Sequence, residues 1–280
     1  MKRIYLIAVF FALAFSACKR QNIKEVPAWG DIFKKYAIDS GCFEIADNSH
    51  DQVFYYNLPR VSKRVTPAST FKIANSLIAL DINVAKSEDM VIPWDGIKRY
   101  RDDWNKDLTM REAFKVSSVP YYQEIARRIG KVEMKKWIDT LKYGNQNIGD
   151  TIDQFWLNGD LTISPDEQVL LMKRLYFDKL PFSQRTQRIV RSIMLREDST
   201  EYKLYFKTGT YLDEKGILAW VVGFIERKET QIGVLTKKEE TNYKPYFFAM
   251  NFNTPDTSNA YKEKRINILK DILRERQIIK

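Results

Sequence analysis

Ser69 and Lys72 stand three residues apart in the segment Pro67-Ala68-Ser69-Thr70-Phe71-Lys72, and from there Phe71, Ala74, Leu77 and Ile78 recur at helical spacing. The spacing predicts a helix over 70–80, with Ser69 at its start and the Ser69 and Lys72 side chains on one face. The helix dipole favours negative charge at that end. A neutral lysine amine, or a base derived from it, can take the proton of a hydroxyl that is otherwise a weak nucleophile. Taken alone, the pair also fits an N-cap serine followed by a surface lysine. Lys207-Thr208-Gly209 closes the aromatic segment 202–206. A lysine beside a glycine at a strand edge can offer positive charge and open backbone to a carboxylate and a carbonyl. The single histidine, His50, lies in the polar run Asp47-Asn48-Ser49-His50-Asp51, where a solvated turn residue is the plainer reading. With one histidine and two cysteines, Cys18 and Cys42, the chain cannot build a multi-ligand Cys/His metal cluster or a disulfide framework, and no metal is expected.

Ser-x-x-Lys followed about 135 residues later by Lys-Thr-Gly is the pairing found in penicillin-recognising serine enzymes. Between them lie Ser117-Ser118-Val119-Pro120, then Tyr143-Gly144-Asn145, then Phe155-Trp156-Leu157. With Trp94-Asp95-Gly96 and Asp103-Trp104-Asn105, this order resembles a class D (oxacillinase-type) serine β-lactamase over roughly residues 28–276. The resemblance implies hydrolysis of β-lactams, penicillins first and oxacillin-type ones next, through an acyl-enzyme on Ser69. It implies that Lys72 is carbamylated by carbon dioxide (N6-carboxylysine) to become the general base, with no other cofactor. Trp156 would donate its indole N–H to that carbamate, a plain core tryptophan being the alternative. Ser117 would pass a proton to the leaving nitrogen, and the backbone N–H groups of Ser69 and Thr210 would form the oxyanion hole. Val119, Lys207, Thr208, Gly209, Thr210 and Arg265 would contact substrate, Lys207 and Arg265 holding its carboxylate. Phe71, Tyr143, Gly144, Asn145 and Leu157 would shape the site, the middle three as a turn at its floor. Two relatives remain open: a β-lactam-binding sensor domain and a cell-wall D,D-peptidase or transpeptidase. Trp156 and the apolar Val119 favour the hydrolase.

The elements that must hold these residues read as strands, helices, strands and a final helix. Segments 41–45 and 53–56 alternate as a hairpin around the polar turn, and Cys42 reads as a small buried residue. Residues 85–195 read as mainly helical, punctuated by Pro93, Pro120, Gly130, Gly144, Gly159 and Pro165. Segments 202–210, 216–226 and 245–253 read as strands, and the Lys/Glu-rich stretch 228–244, long for the family, as a solvated hairpin tip. Ile268, Leu269, Ile272 and Leu273 share one face of the last helix. The pattern predicts an α+β fold: an antiparallel sheet flanked by helices, with a helical insertion, formed by one domain over 18–280. The net charge of +10 is spread along the chain and interleaved with acids, with no basic arm, so no nucleic-acid partner is expected. A monomer or homodimer is compatible with everything above.

The first seventeen residues read as an address. Lys2-Arg3 precede twelve uncharged residues, Ile4 to Phe15, and then Ser16-Ala17-Cys18. The run is shorter than the about 20 residues that cross a bilayer. It has the layout of a secretory signal, and the terminal cysteine resembles a lipobox, in which a lipidated Cys18 begins the mature chain. An ordinary signal peptide or a buried first helix are the alternatives. The lipobox reading places the protein in the periplasm with its only membrane attachment at Cys18. Cell fractionation checks this: wild type should pellet with membranes, and Cys18→Ser should be released or left unprocessed. Soluble wild type, cleaved elsewhere, would leave secretion alone.

Overall fold

A computed structural model describes residues 22–213, 216–232 and 239–280, so the leader and Cys18 lie outside the described residues. The elements run β1 (Asn22–Glu25), α1 (Trp29–Lys35), β2 (Ser40–Asp47), β3 (Gln52–Tyr56), α2 (Leu58–Val61), a 3-10 turn (Ala68–Phe71), α3 (Lys72–Asp81), β4 (Val91–Ile92) and a second 3-10 turn (Asp102–Trp104). They continue β5 (Leu108–Thr109), α4 (Met110–Val116), α5 (Val119–Ile129), α6 (Lys131–Leu141), α7 (Pro165–Tyr176), α8 (Gln184–Met194), β6 (Leu195–Asp198), β7 (Tyr202–Asp213), β8 (Gly216–Ile232), β9 (Glu239–Thr254) and α9 (Ala260–Glu275). The main sheet has the order β1-β3-β2-β9-β8-β7-β6 and helices on both faces, the expected α+β class.

The interior strand β8 shows why both faces are covered. Leu218, Trp220, Val222 and Phe224 point into one core, packed by the helices from α3 to α8. Ile217, Ala219, Val221 and Ile225 point into the other, against Trp29 and Phe33 of α1 and Ile268, Leu269, Ile272 and Leu273 of α9. A strand buried on both sides reads as a continuous apolar run, which is how segment 216–226 reads in the sequence.

Three expectations are corrected. The sheet is mixed, because β1 joins β3 in parallel while every other neighbouring pair is antiparallel. A short parallel edge strand of four exposed residues carries no alternation to announce it. The insertion is not helical throughout: β4 and β5 pair within it, and residues 142–164 are turns. Nor is 228–244 simply a loop, since pairing of β8 with β9 continues from Arg227↔Lys244 to Ile232↔Glu239, leaving 233–238 outside the described residues. Charged side chains on both strands masked that pairing in the sequence, and the Lys244–Glu229 ion pair at 2.7 Å shows them facing one another.

The turn region 142–164 is fixed by backbone. Gly144 has φ +52°, and a Cβ there would stand 1.8 Å from the Thr162 carbonyl oxygen. Asn145 takes Thr162 N–H on its Oδ1 at 3.0 Å and donates Nδ2 to the Asp160 carbonyl at 2.7 Å. Gly144→Ala should therefore cost at least about 2 kcal/mol of stability in chemical denaturation, whereas Val132→Ala on the exposed face of α6 should change it by less than about 0.5 kcal/mol.

Candidate active site

Ser69 sits inside the 3-10 turn, and the α-helix proper starts at Lys72, so the nucleophile stands one turn earlier than a regular helix start. Ala68 before it has φ +48°, a left-handed conformation costly for a residue with a Cβ. Packing holds that turn in place. Thr70 N–H and Thr70 Oγ1 both donate to Pro67 O, at 3.1 and 2.8 Å. Trp220 Nε1 donates to Thr66 O at 2.9 Å. At Gly209, a Cβ would meet Pro67 O at 2.8 Å, so the absence of a side chain lets strand β7 lie directly against the turn that carries Ser69.

Lys72 Nζ donates to Ser69 Oγ at 2.7 Å. Its side chain is fully buried, and burial, followed by the nearby Arg101 guanidinium, pushes the amine down from the ordinary lysine range to about 7. One wall is Tyr122 of α5, whose ring centroid lies 5.4 Å from Nζ and whose hydroxyl shares a 2.8 Å hydrogen bond with Ser76. On Phe71, the next residue, Trp156 stacks at 5.4 Å, while Phe155 and Tyr143 pack edge-on at 5.1 and 5.6 Å. Leu157 packs half-buried against the same core. The indole N–H of Trp156 is buried and has no partner.

Ser117 lies between α4 and α5 with φ +57°, and its hydroxyl accepts from Lys207 Nζ at 2.9 Å. Lys207 is buried as well and also donates to Thr208 O at 2.8 Å. Burial, then the charges of Lys72, Arg196, Arg265 and Arg101, hold its amine well below the usual lysine range. Arg265, on α9, donates Nη1 to Gly209 O at 3.1 Å and to Thr210 Oγ1 at 3.3 Å, with its guanidinium 5.6 Å from the Tyr261 ring. Burial lowers it to about 10, so it stays charged at neutral pH. The neighbouring Lys264 is instead turned to Asp256, 3.8 Å away.

A cleft of about 560 Å³ opens over these groups, lined by Ser69, Ser117, Val119, Thr208, Thr210 and Arg265 among others. β6 pairs with β7 only at 203–205, so from Phe206 onward the outer edge of β7 has no strand beside it among the described residues. Alternate residues Thr208, Thr210 and Leu212 of that edge line the cleft. None of Tyr143, Gly144, Asn145, Trp156 and Leu157 lines the cleft: Tyr143, Gly144 and Trp156 are buried, Leu157 is half-buried and Asn145 is exposed. His50 is in the β2–β3 turn, bonded to Asp47 Oδ2 at 2.7 Å. Among the described residues no group of three or more His, Cys, Asp or Glu could hold a metal.

Four residues that sequence reasoning passed over belong to this site. Tyr122 walls in Lys72, and the Pro120-Tyr121-Tyr122 run on the helix after Ser117 is the signal that could have found it. Arg101 lines the cleft, paired with Asp103 at 3.0 Å from Nε and set over the Trp104 ring at 5.0 Å. Trp220 and Gln168, the latter donating to Thr70 Oγ1 at 3.0 Å, act from distant parts of the chain and carry no local signal.

Comparison with known proteins agrees with this geometry. The family model described as the penicillin-binding protein transpeptidase domain matches residues 44–274. The β-lactamase OXA-10 of Pseudomonas aeruginosa is 38% identical over 261 residues, 92% of each chain. The β-lactamase OXA-48 of Klebsiella pneumoniae is 35% identical over 279 residues, 100% of this chain and 98% of that one. The crystal structure of a class D β-lactamase from Sebaldella termitidis superposes with a TM-score of 0.84 at 34% identity, covering 93% of this chain and 100% of the other. A serine hydrogen-bonded to a buried lysine, on a fold and sequence shared from end to end with these proteins, makes the chain a member of the class D (oxacillinase-type) serine β-lactamases.

Proposed function

We propose that the chain hydrolyses β-lactams, penicillins first, by acylation and deacylation of Ser69 with a carbamylated Lys72 as the base. The observation that carries this reading is the buried Lys72 amine 2.7 Å from the Ser69 hydroxyl. Carbamylation forms a C–N bond from a neutral amine to carbon dioxide and releases a proton, and an amine pushed to about 7 is substantially neutral at neutral pH. The unpartnered indole N–H of Trp156 suits an added carboxylate, because a buried donor without an acceptor is costly. That carboxylate would supply general-base catalysis; Ser69 and Trp156 are the groups that would hold it.

Every other role falls to the chain's own groups. Ser69 Oγ attacks the lactam carbonyl as its proton leaves toward Lys72. The carbonyl oxygen becomes an oxyanion facing the N–H groups of Ser69 and Thr210. The ring C–N bond breaks, and its nitrogen takes the Ser117 proton, which Lys207 replaces across their 2.9 Å hydrogen bond. Arg265 supplies the lasting positive charge for the drug carboxylate, with Thr208 and Thr210 beside it. Phe71, Val119 and Leu157 keep the floor apolar and dry. The leader, read as a lipoprotein signal, adds the proposal that this chemistry faces the periplasm from a membrane anchored through Cys18.

Two variants and a gas test this. Ser69→Ala should give no covalent penicillin adduct by intact-protein mass spectrometry. Hydrolysis should weaken in degassed, bicarbonate-free buffer, recover on adding bicarbonate, and decline as pH drops below about 7, where the Lys72 amine takes up its proton. Trp156→Ala should slow deacylation about 100-fold and acylation less, so the Ser69 adduct accumulates. Full-rate hydrolysis without carbon dioxide at mildly acidic pH would refute the carbamate and leave unmodified-lysine chemistry.

A further inference from the structure

Arg196 occupies a bulge. Leu195 of β6 faces Tyr205 of β7 and Glu197 faces Leu204, so Arg196 is the extra residue, with no partner in the ladder. A bulge re-aims a side chain, and bulges gather beside active sites. Here the guanidinium turns toward the machinery already described. Nε donates to the carbonyl of Phe206 at 3.3 Å, and Nη2 to the carbonyl of Phe114 at 3.4 Å. The same guanidinium stands 5.7 Å from the Phe114 ring and 5.8 Å from the Phe206 ring. It forms no ion pair among the described residues.

Those two carbonyls are chosen places. Phe206 immediately precedes Lys207 on β7, and Phe114 lies three residues before Ser117, in the last turn of α4. Lys207 Nζ stands over that Phe114 ring at 5.6 Å and donates to Ser117 Oγ. One planar cation therefore clasps the helix that presents Ser117 to the strand that presents Lys207. We propose that Arg196 is a positioning residue for proton delivery, holding α4 and β7 at the separation the Lys207–Ser117 hydrogen bond requires. This rests on the reading that Ser117 and Lys207 protonate the leaving nitrogen.

The charge of Arg196 also acts on Lys207. The charged groups facing Lys207 are Lys72 from α3, Arg196 from β6, Arg265 from α9 and Arg101 from the loop before the second 3-10 turn, all of them cations. Removing one of them lets Lys207 keep its proton to higher pH, which lengthens the pH range in which the amine carries a full charge before substrate arrives.

Steady-state kinetics with a chromogenic penicillin over pH 5 to 9 test the proposal. Arg196→Met should lower kcat about tenfold with little change in KM, and should move the alkaline limb of kcat/KM, where Lys207 gives up its proton, to higher pH. Arg196→Lys should restore the position of that limb, because charge returns, while kcat stays low, because one ammonium cannot span two carbonyls in the manner of a planar fork. Ser117→Ala and Lys207→Ala serve as controls: if either keeps full activity, the proton-delivery reading itself fails. If both lose activity but Arg196→Met matches wild type in kcat and pH profile, the Arg196 proposal is overturned. A variant that loses only thermal stability overturns it equally. Should Arg196→Met not fold, wild-type kcat in Arg196→Lys would be sufficient to refute the clasp.

Discussion

Keeping water from one amine is the constraint on which the rest of this structure depends. Lys72 is useful only while it can be neutral next to Ser69, and an isolated ammonium taken out of water loses hydration that nothing in an apolar wall returns. The fold supplies that dryness by putting the lysine at the first turn of a helix whose residues from Lys72 to Leu80 are all buried. Tyr122 closes one side, held by Ser76, and Phe71, the residue before Lys72, is packed into a cluster with Phe155, Trp156 and Tyr143. Each aromatic pair adds about 0.5 to 1.5 kcal/mol beyond its buried area. On the proposed mechanism, the packing that stabilises the core would also keep the base dry, joining core packing to catalysis.

The second consequence is electrostatic. Lys72, Arg101 and Arg265 all act on the charge of Lys207, Arg101 and Arg265 line the cleft, and Asp103 is paired with Arg101. Burial first, and the neighbouring cations second, push both lysine amines below their ordinary range, while a guanidinium holds its proton far more tightly. Arg265, lowered only to about 10, keeps its charge, and on the proposed mechanism that charge would meet an incoming carboxylate. Once that anion is bound, its field favours a proton on Lys207, the residue bonded to Ser117. On the proposed mechanism, substrate binding would therefore bring negative charge into a cationic cleft and favour the protonated form of the donor chain.

Much of this was legible in the sequence, for a physical reason. Ser69, Lys72, Ser117 and Lys207 sit in short segments whose spacing reflects a local turn, and a local turn writes itself into three or four adjacent residues. The hairpin of β2 and β3, the helix α3 and the face of α9 were legible through periodicity in the same way. What was not legible comes from contacts between distant segments. Trp220 reaches Thr66 across 154 residues, and Gln168 reaches Thr70 across 98. The parallel partner of β3 is an exposed four-residue strand with no pattern of its own, and the paired ends of β8 and β9 carry charges that read as loop. Arg196 was invisible for a third reason: a bulge is a mismatch between two strands, and neither strand alone reveals it.

The site also concentrates backbone cost where its hydroxyls are. Ala68, beside Ser69, and Ser117 itself both adopt left-handed conformations with a Cβ present, each costing on the order of 1 to 3 kcal/mol. Neither would persist in an isolated peptide. Around Ser69 the surrounding structure over-determines the chain: Trp220 and Thr70 tie down the carbonyls before it, and strand β7 presses on Pro67 through Gly209. Around Ser117 the ties are Ser118 N–H to Ala113 O at 2.8 Å, the Lys207 hydrogen bond and the two-carbonyl clasp of Arg196. Relaxing either turn toward ordinary helix would swing its hydroxyl away from its lysine. The strain is thus tied to function at both places, and the rigid sheet edge between them, β7, is the single element that both turns are braced against.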